Sequence, residues 1–294
     1  MGIIRRTLTM KKNQYKLMER FYISAALVLL MAVSCSKSGQ GDYYSDPDAV
    51  HFSAVVGSGT KTSPVGSAEE QTKFSSGDLV AISDGGAFYS YSLNSNGEWT
   101  PVESAKFIRW TSASTTFRAY YPVHDGVYFS SATLPTDQST LDALASADWM
   151  TVTSTVIKPQ DGFTVDLQFQ RRTARVKVTI EKFLDEFDGK NPTISALSVC
   201  GTKTYEASDD AGNKSYYALL LPCGSDSGSN FITLTVSFGG DTKSLYVKGI
   251  PTLEEGKTYS YSLTVGKNEV RVASVMVNEW TGGSGLPNDG EALN

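Results

Sequence analysis

Histidine is nearly absent from this 294-residue chain, which holds only His51 and His124. A Ser-His-Asp hydrolase needs an imidazole to carry the proton, so it would have to use one of these two. His124-Asp125-Gly126 follows Pro122 and reads as turn chemistry. His51 falls on the outward side of a short strand pattern and reads as a solvated side chain. The chain has no G-x-S-x-G elbow, phosphate loop or G-x-G-x-x-G fingerprint, and Gly282-Gly283-Ser284-Gly285 has the wrong spacing for the first. Cysteine is scarce, at three, and its spacing fits no zinc pattern. The acidic loops near Asp42, Asp46 and Asp48, and at Asp209-Asp210, lack the Gly and closing Glu of a calcium loop. Long helical periodicity is missing as well. The best helix candidate is 140–149, with Thr140 as its cap. These absences lead us to expect no catalytic set, no metal and no cofactor.

Basic residues are concentrated at the start. The first 34 residues hold six of the 26 Lys and Arg and one of the 31 acids, followed by the apolar run Phe21–Val33. That pattern is a secretory signal, too short and wrongly flanked for a membrane span. The remainder carries 20 basic and 30 acidic side chains, a net charge of about −10, which argues against nucleic acid as a partner. The signal ends in Met31-Ala32-Val33-Ser34-Cys35, which resembles a bacterial lipobox. Cys35 is then the lipidated N-terminus and the tie to an outer membrane. Residues 35–47 read as a flexible, polar, lipid-proximal tether.

Beyond the tether, short alternating runs are punctuated by Gly, Asn, Asp and Ser, as in β-sandwiches. The first such run is Val50, Phe52, Ala54 and Val56. The stretch 163–181 is the most informative. Phe163, Val165, Leu167 and Phe169 alternate in one phase, and Ala174, Val176, Val178 and Ile180 in the other, with the break at Arg171-Arg172-Thr173. A phase slip turns every side chain to the opposite face. The break therefore reads as a bulge, or as one strand leaving one sheet for another. We divide the chain into 1–34 signal peptide, 35–47 tether, 48–165 first sandwich and 166–294 second sandwich. The segment 270–280 reads as a final pair of short strand patterns with a phase change near Ala273. Cys200 and Cys223 end two apolar segments, and two readings stand: a disulfide made in an oxidising compartment, or two buried free thiols. Tyr43, Tyr44 and Trp99 are candidate exposed aromatics that could stack on sugar.

Several motifs then occur in a fixed order: Val50-His51-Phe52-Ser53-Ala54, a loop with Lys61 and Thr62, Gly77-Asp78, Phe117–Pro122, Leu167–Ile180, Leu253–Val265 and Val277–Trp280. In this order the sequence resembles the fimbrillin-like proteins of the Bacteroidetes. The resemblance implies an all-β fold of two transthyretin-like Greek-key β-sandwich domains in tandem after a lipoprotein signal peptide. It implies no enzyme activity and a fimbrial role. Protease cleavage after a basic residue removes the first strand in such proteins, and a strand from a neighbouring subunit fills the slot. Here the removable strand is Val50, Phe52, Ala54 and Val56, the cleavage loop is Gly57–Pro64 with Lys61, and the donor strand is Val270–Trp280 with Val275, Val277 and Trp280 as plugs. The family commonly has Arg at the cut, but this chain has no Arg between Cys35 and Arg109. The implied partners are other fimbrial subunits, through β-strand addition, and a host or bacterial surface glycan or protein. The alternative reading is a lipid-anchored glycan-binding module.

Overall fold

The computed structural model describes residues 41–57, 73–123, 133–160 and 164–280. Before Pro47 the described residues form one short helix, α1 (Gly41–Ser45), where the tether was expected to be flexible throughout. Tyr43 and Tyr44 meet edge to face within it, with ring centres 5.2 Å apart.

From Pro47 onward the chain is a β-sandwich protein built almost wholly of strands. Seven come from its first part: β1 (His51–Val56), β2 (Leu79–Ser83), β3 (Tyr89–Leu93), β4 (Trp99–Pro101), β5 (Ser114–Tyr121), β6 (Met150–Ile157) and β7 (Thr164–Arg171). They form one sheet in the order β1-β7-β6-β5-β2-β3-β4. β1 lies at its edge, parallel to β7, from His51↔Thr164 to Val56↔Phe169. β6 and β7 pair only at Met150↔Arg171 and Thr151↔Gln170, and then part company. The sheet therefore folds over on itself, bringing Phe52 of β1 against the rings of Tyr91 (5.1 Å) and Phe117 (5.5 Å). The stretch ahead of β1 is tied down separately. Val50 N–H donates to Ile108 O at 3.0 Å, and Trp110 N–H to Asp48 O at 2.8 Å. The 105–110 segment is spent on these contacts and an isolated bridge from Arg109 to Ala49.

The helix expected at 140–149 is shorter, α2 (Leu141–Ser146). Thr140 caps it by accepting a hydrogen bond from Ala143 N–H. The later strands are β8 (Ala174–Phe183), β9 (Thr193–Val199), β10 (Thr202–Lys203), β11 (Tyr205–Ser208), β12 (Lys214–Leu220), β13 (Asp226–Phe238), β14 (Asp241–Ile250), β15 (Lys257–Val265) and β16 (Val270–Glu279). They form a four-stranded sheet, β10-β9-β13-β14, and a five-stranded sheet, β11-β12-β8-β15-β16. The chain passes between the two sheets repeatedly. Val176, Val178, Ala218, Tyr261 and Leu263 from one sheet pack with Ile232, Leu234 and Val236 from the other in a single core.

The phase slip is the point where the backbone changes sheet. β7 alternates exposed and buried up to Arg171, and β8 resumes with Ala174, Val176 and Val178 buried. Arg172 N–H bonds to Trp149 O at 2.8 Å, on the side of the first sheet. Thr173 O accepts from Gly256 N–H at 2.9 Å, on the side of the five-stranded sheet. A boundary at 165/166 therefore falls inside β7, which pairs with β1 from Thr164 to Phe169 and with β6 at Gln170 and Arg171. The segment 270–280 is also one strand, not two. Its phase change is a bulge, since Ser262 pairs with Ser274 and Leu263 with Val272, which leaves Ala273 over.

Phe52 is buried and has two aromatic neighbours, so truncating it leaves a cavity that β1 alone cannot close. Phe52→Ala is expected to destabilise the fold by about 3–5 kcal/mol, read from chemical denaturation midpoints at constant m-value.

Candidate functional site

Among the described residues the three sheets have six edge strands. β10 is two residues long, β4 is three and ends in Pro101, and β11 is four with Glu206 salt-bridged to Lys214 at 2.6 Å. β14 is long but carries Lys243 and Lys248, and its partner β13 is irregular between Asp226 and Ile232. Short length, proline, charge and bulges are the usual ways of making an edge a poor template. β16 has little of this protection. It runs for ten residues with no charge between Arg271 and Glu279.

β16 is also poorly covered. Cross-strand partners share a sheet face, so Val272, Val275 and Val277 lie on the same side as their buried partners Leu263, Tyr261 and Tyr259. This is the core side of the sheet, yet Val275 is 47% exposed and Val277 52%. Met276, on the outer face, is 61% exposed. β14 of the opposing sheet comes near β16, yet these side chains stay open to solvent. Two of the three donor residues named from sequence thus lie on an open apolar strand.

The third behaves differently. Trp280 is only 5% exposed. Its N–H donates to Gly256 O at 2.6 Å, and its ring packs with Leu144, Ala147, Tyr217 and Leu219. The guanidinium carbons of Arg171 and Arg175 lie 3.8 and 4.7 Å from its ring centre. Arg171 is itself buried in a bidentate pair with Asp148, Nε to Oδ1 at 3.2 Å and Nη2 to Oδ2 at 3.3 Å. Burial raises the Asp148 carboxyl above its usual pKa, and the Arg171 charge beside it offsets part of that rise. Arg175 Nε donates to Thr258 Oγ1 at 3.2 Å. Nearby, the fully buried Gln138 side chain pairs with both backbone groups of Leu219, at 2.9 and 2.8 Å. It stands in for a strand along β12.

β1 is the other edge of interest. Val50, Phe52 and Val56 are buried and Ala54 is half-buried. Ser53 Oγ meets the Asp166 carboxylate, and Lys158 Nζ meets Asp48 at 2.7 Å. His51 is half-buried, not solvated, and burial lowers its pKa against the pull of Glu98. A cleft of about 540 Å³ opens where β6 and β7 diverge, lined by Thr151, Thr153, Asp166, Gln168, Gln170 and Arg172 among others. Cys35, Lys61 and His124 lie outside the described residues.

Two expectations need correction. Trp99 is buried, edge-on to Phe74 at 5.3 Å, and Tyr43 is also buried, so of the three aromatics proposed for sugar stacking only Tyr44 is exposed. Trp99 has Phe74 as a neighbour that local sequence does not reveal. The cysteines carry no disulfide and are not both buried: Cys200 is half-buried and Cys223 exposed. Burial and the nearby Cys223 push the Cys200 thiol up to about 11. Among the described residues no group of three or more His, Cys, Asp or Glu is placed to hold a metal.

A sequence profile described as fimbrillin-like matches residues 68–280. The chain belongs to the fimbrillin-like family. Proteins of this family are structural components. A search of curated protein sequences found no match. Solved structures with a similar fold include a proposed cell adhesion protein of Bacteroides ovatus, with TM-score 0.58 and 13% identity over 79% of this chain and 97% of that one. A second is a proposed cell adhesion protein of Bacteroides uniformis, with TM-score 0.53 and 18% identity over 79% and 98%. At these identities the likeness is one of fold.

Thiol exposure in this fimbrillin-like chain gives a direct check. A maleimide at neutral pH should label Cys223 at least several-fold faster than Cys200, as read by peptide mass spectrometry, because thiolate is the reacting form. Equal rates would contradict the burial of Cys200.

Proposed function

We propose that this protein is a fimbrial subunit, or a fimbria-associated surface lipoprotein, that assembles by β-strand addition and serves adhesion. The observation that carries this reading is β16, a ten-residue edge strand with an apolar, unshielded centre. An edge of that kind invites pairing with another chain, and soluble proteins normally avoid it. Family membership supports the fimbrial role and a cell-surface location.

β1 supplies the matching acceptor. Each of its residues from His51 to Val56 faces one on β7. If cleavage in the Gly57–Pro64 loop released β1, the outer edge of β7 from Thr164 to Phe169 would lose its partner strand. The rings of Tyr91 and Phe117 would lose Phe52. The vacated slot would ask for a strand with apolar residues at every second position. With its bulge straightened, β16 presents Ala273, Val275 and Val277 in one phase and Val270, Val272 and Met276 in the other. Val275 and Val277 are about half exposed at home, so full burial in a neighbour would gain on the order of 1 kcal/mol each. Backbone pairing supplies the remaining stabilisation, and the work involves no covalent chemistry.

Lys61 decides the role in the filament. If it is cut, the protein joins the stalk as both donor and acceptor. If it is left intact, β1 and a lipid on Cys35 stay in place, and the protein serves as an outer-membrane anchor or accessory subunit. Mild trypsin treatment at Lys61 should give ladders of oligomers on SDS gels, and a variant lacking residues 270–294 should give none. Cleavage at Lys61 without oligomers, or ladders unaffected by the deletion, would contradict strand exchange.

A further inference from the structure

An edge strand opens by fraying from its ends. In β16 the two ends are unlike. The first is closed by a tight hairpin, where Gly266 N–H donates to Glu269 O at 2.8 Å and Val265 faces Val270. It is further held by Lys267, whose N–H bonds the Glu186 carboxylate at 3.0 Å and whose ammonium bonds Asp188 at 2.9 Å. Fraying must therefore start at the other end. There the Lys257–Glu279 ion pair is exposed to solvent, and the following residue is Trp280. Between the ends the side chains offer little, since nine of the ten residues of β16 are exposed. Retention by side chains is concentrated in one indole.

We propose that Trp280 is the clasp that holds β16 in its home sheet, with the guanidinium groups of Arg171 and Arg175 as its seat, and that opening this clasp makes the strand available to a second copy of the chain. The inference rests on the donor role proposed above for β16. The seat does not belong to the strand it holds. Arg171 ends β7 and is fixed by Asp148, Arg175 lies in β8 and bonds Thr258 of β15, and the floor is Leu144, Ala147, Tyr217 and Leu219. All of this remains when β16 leaves. The seat is also formed at the sheet switch, so it exists only once β7 and β8 have both taken their places. A ring stacked on desolvated guanidinium groups is held by charge–quadrupole attraction as well as by apolar burial, so no aliphatic residue replaces it fully.

The test is hydrogen–deuterium exchange on the intact purified protein, read by mass spectrometry. Trp280→Ala should speed exchange of the 271–279 amides about tenfold or more while β8, β12 and β13 keep their protection. Trp280→Phe should give a smaller acceleration confined to the same strand. Met276→Gln, on the exposed outer face of β16 and away from the seat, should leave the exchange of β16 close to that of the parent. Unchanged protection of β16 in Trp280→Ala would overturn the clasp, as would equal loosening by Met276→Gln. If Trp280→Ala exchanges everywhere, Trp280→Phe decides, and uniform acceleration in that variant also overturns it. The trypsin ladder separates this inference from the donor role. A loosened β16 that never forms oligomers keeps the clasp and removes the donor, and ladders with unchanged exchange do the reverse.

Discussion

A sheet that does not close on itself must end in strands whose outward N–H and C=O groups lack a strand partner, and the fold of this chain is arranged around where those ends fall. Four of its six edges are short, charged, irregular or interrupted by proline. The other two differ. β1 lies half-buried at a sheet edge with Phe52 and Val56 fully covered, and comes from a segment far away in sequence from its partner β7. β16 is apolar and exposed. One edge therefore consists of a strand whose removal would leave a slot. The other is a strand with apolar side chains that its own sandwich does not cover. Complementarity between a potential slot and a potential filler within one chain is what a head-to-tail polymer requires, because a contact between two different surfaces repeats without closing.

The two halves of that relationship meet at the sheet switch. Alternation fixes which face of a strand is buried, so a chain that buries opposite faces before and after a point must bulge or change sheets there, and here it changes sheets. The change occurs at Arg172-Thr173, and its cost is visible in the buried ionic pair of Arg171 with Asp148 beside it. Buried pairs of this kind contribute little net stability, but breaking one strands a charge, so they specify geometry. Here the geometry specified is the seat of Trp280. Trp280, the residue after β16, is thereby referred to the place where the first sheet hands over to the next.

Legibility in the sequence followed the range of the interaction. Alternation is local, so β1, the opposed phases of β7 and β8, and the turn-punctuated later strands could be read directly. The sheet switch was legible as a phase slip, although a boundary at 165/166 cut into β7 because nothing local shows that its pairing runs on to Arg171. The bulge at Ala273 made one strand look like two, since a bulge and a strand end both reset the alternation. What depended on distant partners was not legible. The parallel pairing of β1 with β7, the Gln138 amide that stands in for a strand on Leu219, and the arginines around Trp280 leave no mark in the neighbouring residues. Trp99 and His51 were misplaced for the same reason. A tryptophan beside a turn reads alike whether or not a Phe74 lies over it.

The central claim is that the last strand of one copy lies along β7 of the next, and an intermolecular disulfide tests it most directly. With Cys200 and Cys223 replaced by serine, Gln168→Cys on the outward face of β7 would be placed in an acceptor cleaved at Lys61. Ser274→Cys on β16 would be placed in a second, uncleaved population acting as donor. Oxidation of the mixture should link position 168 of one chain to position 274 of another, identified by mass spectrometry of the joined peptides, and the link should be lost when β1 is left uncut. Cross-links that form equally without cleavage, or that join only position 274 to position 274, would contradict the account.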